Sequence, residues 1–181
     1  MRGGSQRKLT IALFSVYLVL LTAVVLFKLP WRFDFSDSVR TINLIPLLGS
    51  FDDTGMLDWR EIILNALVFV PLGIYSSMLI NTGNIVQRAL PALCLSTVFE
   101  LLQCAFALGR SDITDVVSNT IGALAGVAVY KLASSLYREK TALVVNAVAL
   151  AFTVFAAVWF AYQFYVNNFV MSSLHMGSMH P

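Results

Sequence analysis

The sequence predicts an all-α polytopic membrane protein, a bundle of about five transmembrane helices. Five apolar stretches fill most of the 181 residues, at roughly Leu9–Leu29, Ile62–Ile80, Ala89–Leu108, Asp115–Ala133 and Thr141–Val166. Each approaches the 20 or so apolar residues that a helix needs to cross the hydrocarbon. A mean hydropathy of +0.78 and 58% hydrophobic content agree. The polar groups inside these spans gather toward one side of the expected bundle.

The first stretch follows a basic N-terminus carrying Arg2, Arg7 and Lys8. It is long for a signal-peptide core and no clear small-residue cleavage site follows, so it reads as an uncleaved anchor. The connection at about residues 30–61 is the only long polar segment. It opens with an aromatic-acidic patch from Trp31 to Asp37 and turns apolar at Ile42–Leu48. That stretch is too short to span and too apolar for water, so an interfacial or re-entrant cap over the outer helix ends is expected; a flexible connector is the alternative. Asp52-Asp53-Thr54-Gly55 reads as a turn.

The second span opens with Glu61-x-x-x-Asn65 and continues to Gly73. The third carries Glu100 and Gln103 on one helical face. Glu100 lies just beyond the bilayer centre, where an ionised acid costs a few kcal/mol, so it should face the bundle or a wet cavity. Gly109-Arg110-Ser111 turns the chain into the fourth span. There Asp112, Asp115, Asn119, Gly122 and Gly126 share one stripe at helical periodicity. The acids suit a helix N-terminus, and the glycines allow close helix approach. Asp115-x-x-x-Asn119 echoes Glu61-x-x-x-Asn65, a short match that chance explains better than a worn repeat. The fifth span leads into a short tail at about residues 167–181. The whole of 1–181 reads as one membrane domain.

Basic residues set orientation in membrane proteins. With the N-terminus inside, seven Lys and Arg lie on the inner side and five on the outer, while eight acids lie outside and one inside. The expected topology is a multi-pass cell-membrane protein, N-terminus cytoplasmic and C-terminus extracellular. The polar stripe then faces outward. The basic residues mostly flank helices, which argues against nucleic acid and for membrane lipids as partners. Cys94 and Cys104 lie about 15 Å apart along one helix, too far for a disulfide. His175 and His180 sit in the tail without a metal-binding pattern. No metal, cofactor, phosphate loop or nucleophile–base pair is expected.

Several ordered motifs resemble the VanZ-like membrane proteins. They are Arg40-x-x-Asn43-Leu44-Ile45-Pro46, Asn65-x-x-x-Phe69-x-Pro71-Leu72-Gly73, Glu100-x-x-Gln103 and the run from Arg110-Ser111-Asp112 through Asp115 and Asn119 to Gly122. The resemblance covers about residues 40–130, with little from the first and fifth spans. It implies a link to resistance against the glycopeptide teicoplanin, and so a role at the cell surface. Two classes of function follow. In one, an outward polar cavity binds or modifies an amphiphile, a lipid-linked cell-wall precursor or the lipoglycopeptide itself. Glu100, Asp112 and Asp115 are then the candidate catalytic acids; Asn43, Asn65, Gln103, Arg110 and Asn119 bind ligand. In the other, the chain is a non-catalytic scaffold or partner of cell-wall synthesis proteins. Whether any reaction is catalysed stays open at this point.

Overall fold

The computed structural model describes residues 2–27, 42–43, 59–80, 83–106 and 111–166. Its helices are α1 (Arg2–Phe27), α2 (Trp59–Leu79), α3 (Ile85–Phe106), α4 (Ile113–Tyr137) and α5 (Thr141–Tyr165). Two short strands, β1 (Ile42–Asn43) and β2 (Ser111–Asp112), pair in parallel. Among the described residues, four helical stretches are long and apolar enough to cross a membrane. The last runs from Ile113 to Trp159 and holds 47 residues. At 1.5 Å per residue it would reach about 70 Å, more than twice the hydrocarbon thickness. It divides at the short 3-10 turn Arg138–Lys140, where Arg138 adopts φ 49°. The chain therefore supplies five spans, α4 and α5 being two of them.

Local chemistry explains the boundaries. Asn84 and Gln87 cap α3 reciprocally: the Gln87 N–H donates to Asn84 Oδ1 at 2.9 Å, and the Asn84 N–H to Gln87 Oε1 at 3.0 Å. Pro71 lies inside α2 and Pro91 inside α3, where a bundle tolerates proline because neighbours re-satisfy the backbone. The Tyr17 hydroxyl of α1 donates to the Val68 carbonyl of α2 at 2.9 Å. Helix α1 begins at Arg2, earlier than the apolar run, because its first turns are tied to α5. Thr10 Oγ1 lies 3.0 Å from Asn146 Oδ1, and Asn146 Nδ2 donates to Gln6 Oε1 at 3.0 Å.

The core is built by α1 to α4: Leu21, Phe69, Leu72, Ala92, Phe99 and Ala123 form its buried cluster. The largest interface joins α2 and α4. A Cβ on Gly122 would overlap the Ala66 carbonyl, one on Gly126 the Val70 carbonyl, and one on Gly73 the Ala123 carbonyl. The first two pairs share one sequence offset, so the helices run parallel with backbones in direct contact. The glycines thus pack helices, as their spacing implied. Helix α3 lies antiparallel to α4, with Ser96 beside Asn119 and Glu100 beside Asp112. The ends of α1 and α3 and the starts of α2 and α4 consequently meet at one end of the bundle.

The apolar segment read as an outer cap is described only at Ile42 and Asn43. They pair with Ser111 and Asp112, which brings these two residues to the start of α4. Residues 44–48 lie outside the described residues, as do the turn at 52–55 and the C-terminal tail.

Candidate functional site

The candidate site grows from the N-terminus of α4. Four N–H groups at the start of any helix lack intrahelical partners. Asp112 is the N-cap, with extended backbone at φ −132° and ψ 125°. Its Oδ1 accepts from the Thr114 N–H at 2.8 Å and from Thr114 Oγ1 at 2.7 Å. Asp112-x-x-Asp115 has capping-box spacing, in which the acid at the third helical position reaches back to the cap's own N–H. Here α3 supplies that partner instead. Glu100 Oε2 accepts from the Asp112 N–H at 2.8 Å. Asp115 turns to α2, where its Oδ1 accepts from Asn65 Nδ2 at 2.6 Å. Three helices are thereby joined at one helix start.

A turn deeper, Asn119 Nδ2 donates to Ser96 Oγ at 2.7 Å. On α3 one turn past Glu100, Gln103 Nε2 donates to the Val25 carbonyl at 2.9 Å. Val25 lies in the last turn of α1, where carbonyls lack helical partners, so Gln103 caps α1 from outside. Glu100, Gln103, Asp112 and Asn119 are all buried. Two oxygens in this group, Gln103 Oε1 and Asn119 Oδ1, are buried without a hydrogen-bond partner among the described residues.

The structure therefore draws together Glu100, Asp112, Asp115, Asn119 and Gln103 at one end of the bundle, with Asn65 bonded across from α2. Asn43 joins through the backbone beside Asp112. Arg110 lies outside the described residues. Across the two hairpins, Asn65 bonds Asp115, and Asn119 bonds Ser96. Ser96 and Thr114 were not singled out from the sequence. Ser96 is four residues before Glu100 and shares its face, so helical periodicity marks it; Thr114 follows from the N-cap. Among the described residues no group of three or more His, Cys, Asp or Glu gathers as a metal site. Cys94 and Cys104 are free thiols.

The VanZ/LLP1 family model matches residues 14–134, two thirds of the chain and every helix that builds this site. The chain belongs to the VanZ-like family. It is 35% identical over 130 residues to Protein VanZ of Enterococcus faecium, covering 71% of this chain and 77% of that protein. No solved structure matches it. The VanZ-like region begins inside α1, earlier than the motifs from residue 40 onward suggested. The reason is physical: α1 carries no polar motif, yet Leu21 sits in the core and Val25 receives Gln103. Helix α5 lies beyond the matched region.

Proposed function

We propose that this VanZ-like protein binds the polar head of an amphiphile at the outer face of the cell membrane, and through it acts in resistance to the glycopeptide teicoplanin. The observation that carries the reading is the pair of buried oxygens, Gln103 Oε1 and Asn119 Oδ1, that have no hydrogen-bond partner among the described residues. A buried acceptor without a donor costs about 1–3 kcal/mol. A ligand offering hydroxyl or amide N–H donors removes that cost, and the sugar and peptide of a lipid-linked cell-wall precursor, or of a lipoglycopeptide, offer both. Binding is favoured over catalysis because the carboxylates already have structural duties. Glu100 holds the cap residue, Asp112 caps α4, and Asp115 ties in α2.

Two variants test this. Gln103→Met removes the side-chain amide at similar volume, and Asn119→Ser removes the orphan carbonyl while keeping a polar group for Ser96. Retention of a lipid-linked disaccharide-peptide by purified protein in nanodiscs should fall about 5- to 100-fold, and teicoplanin resistance should fall with it when compared at equal membrane abundance. The scaffold reading, favoured by the mutual bonds of Asn65–Asp115 and Glu100–Asp112, expects resistance to survive both changes.

The outward placement has its own test. In a background lacking Cys94 and Cys104, Asp53→Cys and His175→Cys should react with an impermeant thiol reagent in intact cells, and Glu139→Cys should react only after lysis. The reverse pattern would place the site on the cytoplasmic side and end the surface-binding account.

A further inference from the structure

We propose that the crevice between α5 and the α1–α2–α4 core holds one anionic phospholipid of the adjoining leaflet, phosphate at Arg7 and Lys140, acyl chain in the apolar slot. This site lies at the opposite end of the bundle from the Glu100–Asp112 cluster and is independent of it.

Helix α5 contributes nothing to the buried core cluster. It is held to α1 by Thr10 and Asn146, both almost fully buried, through the bonds to Gln6. That brace fixes α5 near its start while its length stands off from α2 and α4. Between them runs an apolar slot of about 560 Å³, walled by Tyr17, Pro71, Tyr75, Val129, Val148 and Phe152. Along α5 its lining extends from Val144 to Ala156, about 18 Å of helix. An empty slot of that size forfeits the dispersion contacts of every lining side chain, and water gains little from apolar walls. In a bilayer the filler at hand is an acyl chain.

Toward the start of α1 and of α5 lies a second cavity, a mouth of about 820 Å³ whose lining includes Gln6, Arg7, Tyr130, Glu139 and Lys140. Both cavities are walled by α1, α2, α4 and α5, and sequence neighbours divide between them: Val129 and Val144 line the slot, Tyr130 and Leu143 the mouth. A mouth with two cations and one carboxylate complements a phosphate that bears a hydroxylated head. The cations take the phosphate oxygens, while Glu139 and the Gln6 amide suit hydroxyl donors. The occupant is therefore an anionic phospholipid of the phosphatidylglycerol kind. A zwitterionic head would bring its own cation toward Arg7 and Lys140.

The test is retention of matched lipids, phosphatidylglycerol against phosphatidylcholine with the same chains, on full-length protein released from nanodiscs into detergent, read by native mass spectrometry. Wild type should keep one phosphatidylglycerol in preference to phosphatidylcholine. A basic residue near a membrane surface strengthens anionic-lipid binding roughly fivefold, so R7Q and K140Q together should erase most of that preference. The charge-keeping pair R7K and K140R should retain it, which separates a headgroup effect from misfolding. Ala149→Phe, which fills the slot, should expel both lipids while thermal melting stays unchanged or rises. Equal retention of the two lipids, an unaltered preference in the R7Q/K140Q protein, or displacement of the lipid by added inorganic phosphate would each overturn the assignment.

Discussion

Gly122→Leu should abolish accumulation of the folded protein. The α2 and α4 backbones touch at Gly122, where even a methyl would overlap the Ala66 carbonyl. A carbonyl cannot rotate aside as a side chain can, so the helices must separate. Separation exposes the buried faces around Phe69 and Ala123 and stretches the 2.6 Å bond from Asn65 to Asp115. Overpacking typically costs 1–3 kcal/mol where side chains can yield. A backbone clash along the main interface belongs with the rare losses above about 4 kcal/mol. Gly73→Leu should behave alike, since its Cβ would meet the Ala123 carbonyl. Ile121→Leu is the control: Ile121 is 56% exposed, and the exchange should be neutral. Membrane abundance and a thermal melt in detergent check all three. Wild-type levels for Gly122→Leu would mean that α2 and α4 do not approach this closely.

Those glycines were legible in the sequence, and so was most of the architecture. Long apolar runs report spans directly, because lipid requires a helix to satisfy its own backbone. The stripe from Asp112 to Gly126 was legible for the same reason, since helical periodicity alone fixes which residues share a face. What that stripe touches was not. Asn119 bonds Ser96 across a hairpin, and Asn65 reaches past Glu61, its neighbour in sequence, to Asp115. Gln103 ends on a main-chain carbonyl of α1, a partner that no residue type announces. The role of Glu100 was hidden in a similar way. Its depth in the membrane marked it as a group needing a partner, but the partner is the N–H of Asp112, and backbone groups leave no trace in a sequence pattern. The crevice beside α5 was equally silent, because the standing off of α5 from the core depends on the brace between Thr10 and Asn146, two isolated polar residues that no motif marks.

Substitutions at Glu100 should separate charge from support. Glu100→Leu leaves the Asp112 N–H buried without its acceptor, a loss of about 1–3 kcal/mol, and it loosens the residue whose carboxylate caps α4. Folded protein should decrease, and function with it. Glu100→Gln keeps an acceptor oxygen at the same reach and weakens the bond only by removing its charge assistance. Abundance should stay close to wild type. If the carboxylate also helps to hold the amphiphile's head, ligand retention and teicoplanin resistance should still drop, roughly ten- to hundredfold in affinity, as charged hydrogen bonds are worth about 1.5–3 kcal/mol. Asp112→Asn is the companion change, because asparagine caps a helix as well as aspartate does. It removes a second charge from the same spot without unseating α4, and its effect should resemble that of Glu100→Gln. Full retention and full resistance in both variants would make the two carboxylates supports for the helix start and nothing more. Recognition would then rest on the neutral amides of Gln103, Asn119 and Asn65, which suit a ligand read by its hydroxyl and N–H donors rather than by charge.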